Sequence, residues 1–76
     1  MRIVEVVGRD PRIMSGALCF RGTRVLVSTL FDYLAEGHPI DRFLVGFPGV
    51  SRDQVEAVLA EARTEMDSLD LALAAR

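Results

Sequence analysis

The sequence predicts a mainly α-helical domain with a small β element at its N-terminus, and two observations support this class. β-branched residues and turn dipeptides fill the first third of the chain, as is typical of short strands. From residue 28 onward, apolar residues recur at helical spacing. The 76 residues include one cysteine and one histidine, too few for an internal disulfide or a four-ligand zinc site. We therefore expect one compact domain.

Three segments make up this expected domain: a β-hairpin element over residues 1–27, a trihelical helix-turn-helix unit over 28–63 and a helical tail over 64–76. In the first segment, the β-branched run 2–7 predicts a strand. Two further extended stretches, 17–20 and 23–27, flank Arg21-Gly22, a dipeptide that suits a tight hairpin turn.

The first predicted helix covers residues 29–36, with Ser28 as its cap and Gly37 at its end. The second is short, over 41–46, and follows Pro39, whose missing N–H costs nothing near a first helical turn. Because no Ser or Thr precedes this helix to supply a capping oxygen, we expect its start to fray.

The third predicted helix begins at a Ser-x-x-Gln capping box formed by Ser51 and Gln54. Its apolar face contains Val55, Val58 and Leu59, and the helical pattern extends to Met66 or beyond. The dipeptide Asp67-Ser68 is able to cap a separate final helix. Three helices with a tight glycine turn are typical of helix-turn-helix proteins, although small bundles without DNA share this spacing.

Charge divides the chain into a basic front and an acidic back. Residues 1–26 have a net charge of +3, and residues 27–76 have −5. Such asymmetry suits an anionic partner at the front and a basic partner at the back, or it is ordinary solvated surface. No apolar run approaches the 18 residues that span a bilayer, and no secretory signal is expected because residues 1–20 lack the apolar stretch of one. We expect a cytoplasmic protein.

Seven residues are candidates for DNA contact. The arginines of the front and the turn threonine suit phosphate binding, and the first turn of the third helix is where helix-turn-helix proteins reach bases. The candidates are Arg9, Arg12, Arg21, Thr23, Arg24, Arg52 and Gln54. The alternative is structural, with Arg24 paired to Asp32 or Asp10. The acidic third helix also opposes DNA contact, since its carboxylates repel phosphates.

The tail has apolar residues that a small core does not fully cover. Its candidate partner-binding residues are Met66, Leu69, Leu71 and Leu73. These side chains pack on their own fold, on a dimer mate or in a groove on another protein. Since a 76-residue core is marginal alone, we expect a homodimer or a larger assembly.

Motifs over residues 10–62 resemble the domain-of-unknown-function 433 (DUF433) family. They are the Asp-Pro-x-Ile of residues 10–13, the Arg-Gly-Thr-Arg-Val of 21–25, the Val-Ser of 27–28 and the Phe-Pro-x-Val-Ser of 47–51. The resemblance implies a short β element followed by a homeodomain-like trihelical unit. It also implies an antitoxin-like role beside a PIN-like ribonuclease toxin, with operator DNA as a further partner.

The chain departs from the family pattern where Ser15-Gly16-Ala17-Leu18 stands in place of Gly-Gly-x-Pro.

The sequence leaves two hypotheses about function: an antitoxin-like regulator that binds a toxin and DNA, or a protein-interaction module with a degenerate helix-turn-helix and no DNA role. No catalytic residue, cofactor or metal site is expected. Cys19 lies in an apolar stretch typical of a buried residue, and His38 precedes a proline in a turn.

Overall fold

The computed structural model describes residues 1–75 and has a mainly helical architecture with a two-stranded antiparallel sheet near its N-terminus. The elements in chain order are α1 (Ile3–Val6), β1 (Val7–Gly8), a 3-10 turn (Met14–Gly16), β2 (Cys19–Phe20), α2 (Val27–Ala35), α3 (Ile40–Gly46) and α4 (Arg52–Ala74). The predicted fold class is confirmed. The predicted trihelical unit corresponds to α2, α3 and the first part of α4.

The strand predicted over residues 2–7 is wrong, because α1 replaces most of it. Only Val7 and Gly8 pair with β2, in register with Phe20 and Cys19. Val6 is completely buried in the core, and the backbone N–H of Arg21 donates to its carbonyl at 2.7 Å. Tertiary contacts of this kind override a preference for strand that is itself dependent on context.

A turn follows β2 at Arg21-Gly22, as predicted, but the extended stretch predicted over residues 23–27 is wrong. Thr23 and Arg24 lie in the turn, and Val27 already begins α2. Cys19 pairs with Leu26 across the hairpin, and Gly22 has a φ of 80°, which glycine adopts without strain. The N–H of Val27 still donates to Leu18 O at 3.0 Å, so the chain passes directly from hairpin into α2. The predicted cap at Ser28 is therefore wrong, and Leu26 stands at the N-cap without a capping side chain.

Helix α2 ends at Gly37 as predicted, with a Schellman arrangement. Gly37 has a φ of 88°, and the N–H groups of Gly37 and His38 donate to Leu34 O and Tyr33 O, each at 3.0 Å. This turn redirects the chain toward Pro39, the N-cap of α3, which has no side-chain cap.

Helix α4 begins with the predicted capping box. Ser51 Oγ accepts from Gln54 N at 3.1 Å, and Gln54 Oε1 accepts from Ser51 N at 3.0 Å. The helix then continues without a break for 23 residues. Asp67-Ser68 therefore does not start a new helix. Over residues 64–74 the predicted tail is the outer part of α4, and Arg76 lies outside the described residues.

The core lies between the hairpin, α2, α3 and the first half of α4. Its buried members are Val6, Phe20, Val27, Leu30, Phe43, Val50, Val55 and Val58. Phe43 is at the centre of an aromatic group, with ring centroids 5.0 to 6.0 Å from Phe47, Tyr33 and Phe20. The buried residues of α4 are Val55 and Val58, so the core covers only the N-terminal part of this helix.

Candidate interaction surfaces

Thr23 uses its hydroxyl to close the hairpin turn. Its Oγ1 donates to Phe20 O at 2.7 Å and accepts from Val25 N at 3.0 Å. The hydroxyl thus has a donor and an acceptor partner within the turn. A phosphate contact would need the hydroxyl proton that Thr23 donates to Phe20 O, so Thr23 primarily shapes the turn.

Arg21 ties the N-terminal segment to the hairpin. Its Nη2 donates to Val4 O at 2.9 Å and to Val7 O at 2.7 Å, and its Nε donates to Val4 O at 3.2 Å. Gly8 lies directly against the guanidinium, since a Cβ at this glycine would stand 2.7 Å from Nη2. The positive charge remains at the surface, but three of its donor contacts are directed into the chain.

Arg9 and Arg12 also have partners within the N-terminal region. Arg9 Nε donates to Gly16 O at 2.8 Å. Arg12 donates from Nε to Asp10 Oδ1 at 3.1 Å and from Nη2 to Asp10 Oδ2 at 3.0 Å. The Arg12 side chain, followed by the Arg12 backbone N–H, lowers the pKa of the Asp10 carboxyl below its ordinary value. Asp10 is thus already paired and is not the partner of Arg24 that the sequence offered as an alternative.

Arg24 is the exception in the turn. It is exposed, and within residues 1–75 its side chain has no hydrogen bond or ion pair. On the other side of the turn is a shallow cleft of about 200 Å³, lined by Arg9, Arg21, Thr23 and the buried Cys19 among others. Of the predicted phosphate-binding side chains in the turn, only Arg24 is fully available to a partner.

The two candidates at the start of α4 are occupied as well. Arg52 Nη2 forms an ion pair with Asp41 Oδ1, which joins α4 to α3. Gln54 closes the capping box and donates from Nε2 to Arg21 O at 3.4 Å. Base reading by these side chains would require breaking contacts that hold α4 to the fold. The sequence indicated the capping box but gave no signal for Asp41 as the partner of Arg52.

The outer part of α4, residues 63–75, is exposed along its length, and we call it the α4 tail. The four predicted partner-binding residues lie here, with exposed fractions of 63% for Met66, 49% for Leu69, 72% for Leu71 and 59% for Leu73. Packing of these side chains on their own fold, one of the predicted alternatives, is therefore wrong for the single chain. A dimer mate or another protein remains.

No group of three or more potential metal ligands occurs among the 75 described residues. Cys19 is buried, as predicted. His38 Nε2 lies 3.5 Å from Glu36 Oε2, and its ring packs against Tyr33 at 5.5 Å. Within the described part of the chain, no helix has both the length and the apolar character needed to cross a membrane.

A family model described as a protein of unknown function, DUF433, matches residues 7–62. The chain belongs to the DUF433 family. A crystal structure of a DUF433 member from Anabaena variabilis ATCC 29413, at 2.00 Å resolution, is similar in fold, with a TM-score of 0.69 and 24% identity. The similarity covers 92% of this chain and 69% of the other. No curated protein matches this chain.

DUF433 membership confirms the resemblance that the Arg-Gly-Thr-Arg motif indicated. In this member, the motif builds a turn: its first arginine binds backbone carbonyls, its glycine has a positive φ and its threonine bonds inside the loop. The family match ends at residue 62, one residue before the α4 tail begins. The family match therefore gives no information about the tail.

Proposed function

We propose that this DUF433 protein is an antitoxin-like component of a type II toxin-antitoxin system, which binds and neutralises a PIN-like ribonuclease in the cytoplasm. The observation that supports this proposal most is the α4 tail, a helix that extends beyond the core with large apolar side chains exposed to solvent. Exposed apolar groups on a helix are typical of proteins that insert a helix into a partner's groove.

The charge of α4 also supports a ribonuclease as the partner. Helix α4 has six carboxylates and two arginines over Arg52–Ala74. A ribonuclease needs cationic residues where it holds the phosphates of RNA. An acidic helix with apolar anchors is therefore complementary to that surface, and binding there would both hold the enzyme and exclude RNA.

Contact with operator DNA is a weaker part of the proposal. Arg24 supports it, because this arginine is exposed and available beside the turn. The remaining candidates have partners within the chain, and Asp53 and Glu56 lie on the same helix as Gln54. The second candidate function is thus a protein-interaction module without a DNA role, favoured by the capping bonds of Gln54.

The first test of the proposed function is genetic and biochemical. A reading frame for a PIN-like ribonuclease beside this one supports the proposal, and its absence weakens it. We expect the purified full-length chain to bind that ribonuclease in a pull-down and to inhibit cleavage of RNA.

Variants locate the binding surface in the same assay. Deletion of residues 64–76 is expected to abolish both binding and inhibition, because it removes all four apolar anchors. Leu71→Glu is expected to weaken both, whereas Ser68→Glu adds the same charge without removing an apolar side chain and serves as the matched control. Full inhibition by the truncated chain, with its fold verified by circular dichroism, would refute the proposal.

DNA contact is tested separately by titration of duplex DNA with Arg24→Ala. If Arg24 binds phosphate, its loss weakens binding to all sequences and lowers the salt dependence by about one unit of slope. An unchanged slope removes Arg24 from the DNA site, and no binding by the parent chain favours the module without a DNA role.

A further inference from the structure

Five apolar residues of α4 form one continuous line that begins beside the core and ends in the tail. The line consists of Leu59, Ala62, Met66, Leu69 and Leu73, separated alternately by three and four residues. This alternation is the a and d pattern of a coiled coil. Leu59 packs against the core and is half-buried, whereas Met66 and Leu73 are exposed. We call this line the α4 seam.

Leu71 lies on the other side of the helix. At about 100° per residue, it is more than 100° from each of the seam residues Met66, Leu69 and Leu73. The seam is therefore a defined face rather than a general apolar surface, and Leu71 provides an equally apolar residue outside it for comparison.

Charged residues beside the seam indicate its partner. Arg63 and Asp70 flank one edge of the seam, both at the heptad position e, and Glu65 flanks the other edge at position g. Within its own helix, Arg63 Nε lies 3.8 Å from Asp67 Oδ2, an exposed pair that leaves the guanidinium at the surface. In an antiparallel pair, e positions of the two helices meet, so Arg63 of each copy also faces Asp70 of the other. In a parallel pair, Glu65 of one copy meets Asp70 of the second, and two acids repel each other.

We infer that the α4 seam binds the same seam of a second copy of this chain in an antiparallel arrangement, with two Arg63–Asp70 ion pairs across the interface. Met66 of each copy then packs against Leu69 of the other, and Leu73 packs against Ala62. The overlap covers residues 60–75, a length of about 24 Å. Each tail ends beside the other copy's half-buried Leu59, so the pair closes as a symmetric dimer.

Short overlap predicts a weak dimer, since the interface is at the small end of specific protein contacts. Leu71 remains on the outer surface of the pair. A ribonuclease that binds Met66, Leu69 and Leu73 as well competes with this weak dimer for the seam. This inference concerns the chain alone and does not depend on the proposed function, because the dimer forms without a ribonuclease present.

The first test is sedimentation equilibrium of the full chain over a concentration series in the micromolar range, without any partner. We expect the mass to rise from 8.4 kDa toward twice that value. Leu69→Glu places two carboxylates in the seam and is expected to weaken dimerisation about a hundredfold. Leu71→Glu, the same change on the opposite face, is expected to leave dimerisation unchanged. A monomer at all concentrations, or equal effects of both variants, overturns the inference.

The second test determines the orientation. Asp70→Arg is expected to weaken the antiparallel dimer about threefold to tenfold, because it turns two attractions into repulsions. Combining it with Arg63→Asp restores the pairing and is expected to return the affinity to near the parent value. A parallel dimer responds in the opposite way, since Asp70→Arg would then face Glu65 and strengthen it. Tighter association of the single variant therefore rejects the antiparallel seam.

Discussion

The hairpin region and the α4 tail use their side chains in opposite ways. In the hairpin region, Arg9, Arg12, Arg21 and Thr23 all form hydrogen bonds within the chain. In the tail, four large apolar side chains contact solvent. The more distinctive sequence motif thus serves the fold, and the less distinctive segment presents the free surface. A motif rich in arginine and glycine is not by itself a binding site.

The largest expected difference between the two regions comes from removing an apolar side chain from each. Phe20→Ala is expected to lower the free energy of unfolding by about 3–5 kcal/mol, because Phe20 is completely buried. Leu71→Ala is expected to change it by less than about 0.5 kcal/mol, because Leu71 is exposed. Urea titrations followed by circular dichroism measure both values. Similar losses for the two variants would mean that the tail packs on the fold.

The second prediction separates the two arginines of the turn. Arg21→Ala is expected to cost about 1.5–3 kcal/mol, because it removes the guanidinium that binds the carbonyls of Val4 and Val7. Arg24→Ala, its matched control, is expected to stay within about 0.5 kcal/mol. Thermal melts of both variants test this contrast. If Arg21→Ala melts like the parent, Arg21 does not hold the N-terminal segment.

The third prediction concerns strain before the hairpin. Ser15 has a φ of 57° and a ψ of 31°, a left-handed conformation that costs a residue with a side chain about 1–2 kcal/mol. Ser15→Gly removes this cost but increases the freedom of the unfolded chain. We expect a net stabilisation of about 0.5 kcal/mol, measured by denaturant titration. Ser68→Gly, in the tail, should instead destabilise the protein slightly, since glycine is a poor helix former.

The smallest expected effect is the pH dependence from Asp10. Its pKa is lower in the folded chain than in the unfolded chain because of Arg12. The stabilisation is therefore present above the unfolded value of about 3.9 and is lost as the pH falls through the folded value. Asp10→Asn should reduce the slope of stability against pH in this acidic range. An identical acid profile would exclude the Asp10–Arg12 pair as a contributor.

Local signals in the sequence predicted two helix ends correctly, whereas the predicted cap at Ser28 and the helix start at Asp67-Ser68 were wrong. Gly37 and the Ser51–Gln54 capping box specify helix ends through hydrogen bonds between near neighbours, which sequence spacing reveals. The segment 2–7 was predicted as a strand because its β-branched composition, a local signal, favours strands. Its conformation depends on Arg21, fourteen or more residues away, and no local pattern encodes such a contact.

The candidate surfaces follow the same division. Spacing alone identified Met66, Leu69 and Leu73 as a stripe, and extending the period toward the core would have added Ala62 and Leu59. In contrast, the ion pair of Arg52 with Asp41 joins two helices. The hydrogen bond from Gln54 Nε2 to Arg21 O joins residues that are 33 positions apart. These tertiary contacts decide which polar side chains are available, and they become visible only in the folded chain.

Hydrogen-deuterium exchange of the chain, alone and in the presence of the proposed PIN-like ribonuclease partner, tests the assignment of roles to the two regions most directly. Exposed helix amides in the tail should exchange quickly in the free chain. We expect binding to slow exchange over residues 63–75 and to leave the hairpin, residues 18–27, unchanged. Protection that appears in the hairpin while the tail continues to exchange as in the free protein would contradict the account.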